Sequence, residues 1–252
     1  MKNIKQKISI IMPAHNESDH IVSSIEETAS TFEEFGCSWE LIILDDGSTD
    51  DTYKKACELL KKYPHRLIVK KNPYNLGKGR AIKKAMHYIG GDYVVWLDAD
   101  IRVENMEKFI DRILKLFEDP EIVGATTNIY IYPEEETFFD RIFHWMVNIW
   151  AIRSAYWFGS ARAKGECQII RAATWKELGG YDSSLVVGED QDMFKRLKSK
   201  GKVVFLKDIN LFESPRRYRE LGHLRVVFEW LANYLSFVFF KRSYSKKWKP
   251  IR

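Results

Sequence analysis

Short apolar runs alternate with helix-period segments through the first half of this chain. The runs Ile8–Met12, Leu41–Leu44, Arg66–Val69 and Tyr93–Leu97 are rich in Ile, Val and Leu and read as strands. Between them, apolar positions recur at helical spacing over about Ser18–Phe35, Asp50–Tyr63, Gly79–Ile89 and Glu104–Glu118. Ser18 and Thr49 read as N-caps, with acidic residues in the first turns, where helix dipoles favour them. Continuous apolar strands separated by helices predict an α/β fold with a mostly parallel sheet covered on both faces. Sheets of that kind bind ligands in the crevice beyond the carboxyl ends of their strands.

Beyond residue 120 the alternation breaks down. Glu121–Tyr132, Cys167–Arg171 and Val203–Leu206 read as strands, and Glu189–Lys200 as an amphipathic helix ending at Gly201. Phe138–Phe158 is crowded with aromatic residues. From Leu221 to Lys249 an apolar, aromatic stretch gives way to Lys241, Arg242, Lys246, Lys247 and Lys249. Neither segment holds the roughly 20 apolar residues of a bilayer span. An aromatic face with a basic end fits a helix lying in a membrane interface. Packing on the core, or on a second copy, explains the same periodicity equally well.

Composition narrows the classes. The 252 residues are 45% hydrophobic and 30% charged, which excludes disorder and collagen-like repeats. Forty Lys and Arg against 35 Asp and Glu give a net charge of +5, too mild and too dispersed for a nucleic-acid binder. Cys37, Cys57 and Cys167 are odd in number and far apart, so they read as small core residues in a reducing compartment. The apolar run at Ile8–Pro13 is too short for a signal peptide, and the chain is expected in the cytoplasm.

The polar residues follow the strands. Pro13-Ala14-His15-Asn16-Glu17 succeeds the first, Asp45-Asp46-Gly47-Ser48-Thr49-Asp50 the second, Asn75-Leu76-Gly77-Lys78-Gly79 the third, and Asp98-Ala99-Asp100 the fourth. Each alone is ordinary turn chemistry, but four on one sheet edge make a site. At the end of a strand, D-x-D is expected to turn both carboxylates to one side. Two close carboxylates repel unless a cation lies between them, and Mg²⁺ or Mn²⁺ shared with a diphosphate suits them. A dinucleotide-binding domain is excluded by the missing G-x-G-x-x-G, and a P-loop by the missing G-x-x-x-x-G-K-[ST].

Taken in order, P-A-H-N-E, L-D-D-G-S-T-D, N-L-G-K-G-R-A, D-A-D and the later Gly188-Glu189-Asp190 resemble the family-two glycosyltransferases over roughly residues 6–212. The resemblance implies a GT-A fold and inverting, metal-dependent transfer from a nucleoside-diphosphate sugar. It implies that Pro13, Ala14 and Glu17 line the nucleotide pocket, that Asp46 bonds the base or ribose, and that Lys78 sits near the donor. By the same resemblance Asp98 lies near ribose and sugar and shares the metal corner, Asp100 is the direct metal ligand, and Asp190 of the Glu189-Asp190 pair is the general base. Arg102 stands where some relatives carry a third metal-binding side chain. Arg216 and Arg217 either clamp phosphate oxygens or form a solvated basic turn, and His15 reads as a loop histidine.

The chain then divides into a glycosyltransferase domain over 1–222, with a nucleotide-sugar half at 1–120 and an acceptor half at 121–222, and a tail at 223–252. The expected acceptor is a hydroxyl on a lipid-linked or cell-surface saccharide, because a hydroxyl needs the acidic pair as base. A polyprenyl phosphate is the alternative acceptor. A non-catalytic nucleotide-sugar scaffold and a nucleotidyltransferase rank below both. If the tail meets a membrane, the chain is peripheral on its cytosolic face.

Overall fold

The computed structural model describes residues 6–158, 164–185, 187–240 and 245. Eight strands form one sheet among these residues: β1 (Lys7–Ala14), β2 (Ser38–Asp45), β3 (Leu67–Lys71), β4 (Tyr93–Leu97), β5 (Arg102–Val103), β6 (Ile122–Ile131), β7 (Cys167–Arg171) and β8 (Lys202–Glu213). Their order across the sheet is β3-β2-β1-β4-β7-β6-β8-β5. The first four are parallel, as the apolar runs predict. β7 runs antiparallel to both β4 and β6, and β8 runs parallel to β6, so the sheet is mixed but mostly parallel.

Helices cover both faces because successive side chains point to opposite sides of a strand. On one face Ile8, Ile10 and Met12 pack against α1 (Ile21–Phe35), α2 (Thr52–Glu58) and α4 (Met106–Leu116). On the other, Ile11, Val94 and Trp96 pack against α3 (Lys78–Ala85), α6 (Ala172–Glu177) and α7 (Glu189–Lys198). Three further helices, α5 (Phe138–Phe158), α8 (Arg216–Leu221) and α9 (His223–Phe240), stand at the carboxyl edge of the sheet. α9 is not a detached tail: Val226 and Trp230 pack on Ile131, Phe143 and Tyr218. The basic residues at 241–244 and 246–252 lie outside the described residues.

Several sequence expectations are corrected at the edge that matters. Neither Ser18 nor Thr49 caps a helix; α1 begins at Ile21 after His20, and α2 at Thr52 after Asp51, with no acidic residue in either first turn. The polar residues there stitch the two loops together instead. Asn16 N–H donates to Ser48 Oγ (2.9 Å), Thr49 N–H to Asn16 Oδ1 (2.8 Å), Glu17 N–H to Thr52 Oγ1 (2.8 Å) and Ser18 N–H to Asp50 Oδ2 (3.2 Å). A helix cap and a loop clasp use the same side-chain oxygens, and the clasp wins here. α3 stops at Ala85 rather than Ile89, and β8 extends well past Leu206 to Glu213. Cys37 and Cys167 are buried, whereas Cys57 is only half-buried.

Candidate active site

Register carries the loops to one place. Ala14 at the end of β1 faces Asp45 at the end of β2, and Leu97 at the end of β4 faces Cys167 at the start of antiparallel β7. The polar residues after β1, β2 and β4, and those before β7, therefore share an edge. A cleft of about 710 Å³ opens there. Its lining includes Pro13, Ala14, Glu17, Asp46, Lys78, Asp98, Asp100, Glu189, Asp190, Arg216 and Arg217, every site residue that the sequence suggests.

Asp98 and Asp100 do not sit on the strand. β4 ends at Leu97, and the Ile101 N–H donates to the Asp98 carbonyl (3.1 Å), closing a turn over 98–101. The two carboxylates thus reach the cleft through turn geometry, and strand alternation is the wrong reason for it. Each already holds a cation. Lys78 Nζ donates to Asp98 Oδ2 (2.6 Å) and to the Gly165 carbonyl (2.6 Å), tying α3 to the β4 and β7 ends. Arg216 Nη2 donates to Asp100 Oδ2 (2.8 Å) and to Glu17 Oε2 (3.4 Å). Tyr132 donates its hydroxyl to the Asp100 carbonyl. Arg216 is therefore built into the site rather than standing in a solvated turn.

Asp46 is buried, and both its oxygens accept bonds from the chain. Oδ1 takes Asn72 Nδ2 (2.9 Å) and Leu76 N–H (3.0 Å), and Oδ2 takes Gly77 N–H (2.9 Å). It fixes the 75–77 loop that forms one wall of the cleft. The His15 ring lies 3.0 Å from the Asp46 carbonyl oxygen, a loop histidine as read from the sequence. Arg102 turns outward, paired with Glu134 at 2.8 Å and lying over the Tyr132 ring. It offers nothing to the carboxylates.

Glu189 and Asp190 open α7 after Gly188, whose φ of 87° sets the entry to the helix. Glu189 packs on Gly79, where a Cβ would fall 2.9 Å from its Cγ. Gly165 lies between Lys78 and Asp190: a Cβ there would be 4.0 Å from Lys78 Nζ and 3.7 Å from Asp190 Oδ2. Burial dominates the acid–base behaviour of this group. It pushes Asp190 up to about 6, against the helix N–H of Gln191 that favours the anion. It pushes Glu189 up to about 8, with the neighbouring Asp190 charge adding to it. Asp98 rises to about 7 through burial, opposed by Lys78 and assisted by Asp100.

The donor set fits a hard divalent cation. Asp98 Oδ1 is buried and has no hydrogen-bond partner, and Asp100 Oδ2 already faces a positive group. Among the described residues no trio of His, Cys, Asp or Glu is arranged as a metal cluster. One or two carboxylates are what a protein contributes to Mg²⁺ or Mn²⁺ when a diphosphate and water complete the coordination, so the residues present are compatible with such an ion.

The cleft also holds polar residues that the sequence motifs do not include: His144, Lys164, Glu166 and Glu213 all line it. Lys164 is buried, donates to Asn148 Oδ1, and is pushed down to about 8 by that burial. Glu213 accepts from the Tyr218 hydroxyl (3.0 Å) and is raised well above the usual carboxylate range by burial. Strand direction accounts for Lys164, Glu166 and Glu213, since antiparallel β7 begins at this edge and β8 ends there, whereas His144 comes from the middle of α5.

A family model described as Glycosyl transferase family 2 matches residues 9–171. The chain belongs to that family. Among curated family relatives it resembles the dolichyl-phosphate beta-glucosyltransferase of Saccharomyces cerevisiae, with 33% identity over 117 residues, 43% of this chain and 35% of that one. It also resembles the undecaprenyl-phosphate 4-deoxy-4-formamido-L-arabinose transferase of Salmonella paratyphi B, with 28% identity over 121 residues, 48% of this chain and 36% of that one. The match spans about a third of the length of each of these relatives. A mannosyltransferase from Pyrobaculum calidifontis, solved with GDP-Man and Mn²⁺, superposes with a TM-score of 0.64 at 18% identity. That likeness covers 91% of this chain and 67% of the other, and it establishes the GT-A-like fold expected of the family.

Proposed function

We propose that this family 2 chain transfers a glycosyl group, with inversion, from a nucleoside-diphosphate sugar to an acceptor carried on a lipid. The observation that supports it most strongly is a single cleft with a carboxylate-rich floor and an apolar far wall formed by Ile129, Val147, Trp150, Val227, Trp230 and Leu231. At the floor, Asp98 and Asp100 would hold Mn²⁺ or Mg²⁺, which supplies charge for the departing diphosphate. Pro13, Ala14 and Glu17 bound the nucleotide seat, and Asp46 keeps the 75–77 loop in position beside it. Lys78 fixes Asp98, while Arg216 and Arg217 present guanidinium groups to phosphate oxygens. Asp190 takes the proton of the acceptor as the new bond forms. With its pKa near 6 it is ionised at neutral pH and still basic enough to be useful. Glu189 is raised as well, by burial and by the Asp190 charge beside it, so the pair resists carrying two negative charges at once.

The lipid part of the reading rests on the helices at the cleft mouth. α5 is amphipathic the wrong way round: Asp140, His144, Asn148 and Ser154 are buried, while Phe138, Phe139, Trp145, Met146 and Trp150 are exposed. Inside, Asp140 is bound by Arg219 and His223, and Asn148 by both backbone groups of Ile129. α9 adds exposed Leu224, Phe228, Leu231 and Leu235 beside it. An apolar surface of this kind marks an interaction site, and Trp and Phe suit a membrane interface. None of the described helices is long and apolar enough to cross a membrane, so the contact proposed is peripheral.

The acceptor group itself is a hydroxyl of a lipid-linked saccharide, the chemistry that requires Asp190. A polyprenyl phosphate is the second reading, favoured by the resemblance to the dolichyl-phosphate and undecaprenyl-phosphate transferases and by buried Lys164, a cation in the cleft that donates to Asn148. Labelled UDP- and GDP-sugars with Mn²⁺ test both, offered with a polyprenyl phosphate and with a lipid-linked saccharide. Product on the saccharide supports the first reading, and product on the bare phosphate alone replaces it with the second. No product with either acceptor from any nucleotide sugar overturns the proposal.

A further inference from the structure

The metal corner contains its own positive charge. Arg216 reaches across from α8 to Asp100 (2.8 Å) and Glu17 (3.4 Å), bridging the loops after β4 and β1. The guanidinium is 27% exposed, Glu17 is 3% exposed and Asp100 24%, so the pairs are poorly solvated. Meanwhile Asp98 Oδ1 is left buried without a partner. One carboxylate of the pair is thus neutralised by Arg216, and the other is only half served, by Lys78 on its second oxygen.

The backbone that carries Arg216 is fixed. Tyr218 in the same short helix donates to Glu213, and Arg219 is bound to Asp140 on α5. The arginine can leave Asp100 only by swinging its side chain, because the helix beneath it is held at both of these points. A bare divalent cation at Asp100 would lie against a guanidinium and repel it, and would take away its shorter hydrogen bond while leaving only the longer one to Glu17. A cation arriving with a diphosphate brings those acceptors, and Arg216 can move from carboxylate to phosphate oxygens without losing charge-assisted bonds.

We infer that Arg216 is an internal counter-ion that keeps free divalent cations out of the Asp98–Asp100 corner and yields the site only to a cation already bound to a diphosphate. Metal and donor then enter as one unit, and the site selects against free metal and against ligands lacking a diphosphate. The inference rests on the metal corner proposed above and concerns the order of binding there.

Mn²⁺ binding to the full chain without any acceptor tests it, read as loss of the free-ion electron paramagnetic resonance signal. Wild type and Arg216→Met are compared, with Arg102→Met as an equal change in net charge at an exposed arginine. With Mn²⁺ alone, Arg216→Met is expected to bind at least about tenfold tighter than wild type, the scale of one charge-assisted hydrogen bond. Arg102→Met is expected to stay within about twofold of wild type. With UDP or GDP added the order reverses, and wild type binds Mn²⁺ about tenfold tighter than Arg216→Met. Equal Mn²⁺ affinity in wild type and Arg216→Met, or the same gain in Arg102→Met, overturns the inference. A separate arm examines the corner itself. Adding Asp100→Asn to Arg216→Met should abolish the gained Mn²⁺ binding; if the gain persists, it is the proposed metal corner that fails.

Discussion

Replacing Asp190 by Asn removes a carboxylate while leaving its size and most of its hydrogen bonding in place. Burial has raised that carboxylate to about 6 in the empty cleft. At that value about 90% of it is ionised at pH 7 and about 10% at pH 5, so a reaction that uses it as base slows about tenfold over this interval. A carboxylate at its ordinary value of 3.8 would stay more than about 90% ionised at pH 5, and the rate would be almost flat. The assay is kcat/KM against pH from 4.5 to 9 with Mn²⁺ and donor, which reports groups of the free protein. The expected result is an acid limb near pH 6 for wild type. Asp190→Asn should lose about two to four orders of magnitude in turnover and lose the limb with it, while donor binding measured by calorimetry is retained. A limb near pH 8 that disappears in Glu189→Gln would transfer the role of base to Glu189. Unchanged turnover in Asp190→Asn would refute the assignment outright.

Other outcomes follow from the same geometry. Glu189 has its folded pKa raised from 4.5 to about 8, so it favours the folded state below the lower value and loses that advantage as pH rises through the upper one. Glu189→Gln should therefore raise the thermal midpoint more at pH 8 than at pH 5, and an equal gain at both would contradict the burial argument. Gly47 has φ of +74°, and a Cβ there would fall 2.4 Å from the Tyr74 carbonyl carbon. Gly47→Ala should cost about 2–5 kcal/mol in urea denaturation, and a loss below about 1 kcal/mol would show that the loop can give way. Leu224 and Phe228 are 88% and 64% exposed on α9. Changing both to Glu should reduce sedimentation with anionic vesicles several-fold without changing the circular dichroism spectrum. Undiminished sedimentation would remove α9 from the membrane contact.

Much of the fold and of the donor side was legible in the residues because both obey short-range rules. Continuous Ile, Val and Leu runs mark strands buried on two faces, and the loops after them carry the ligand groups whatever the tertiary detail. Phe138–Phe158 shows where that legibility ends. The helix was readable, but its orientation was not, since Asp140 and Asn148 are buried only because Arg219, His223, Lys164 and Ile129 come from elsewhere in the chain to satisfy them. Lys164, Glu166 and Glu213 were missed for a related reason, because their place depends on the antiparallel insertion of β7 and the length of β8. Ser18 and Thr49 were misread as caps since a loop clasp and a cap use identical chemistry. Asp98 and Asp100 reached the right place by a turn that period-two reasoning does not contain.

The most direct test of the whole scheme is a crystal soaked with Mn²⁺ and a UDP- or GDP-sugar, with data collected at the manganese absorption edge. The expected anomalous peak lies between Asp98 and Asp100, with the diphosphate beside it, Arg216 turned onto phosphate oxygens, and the sugar directed toward Asp190. A peak elsewhere in the molecule, or a nucleotide sugar bound away from the ends of β1, β2 and β4, would contradict it.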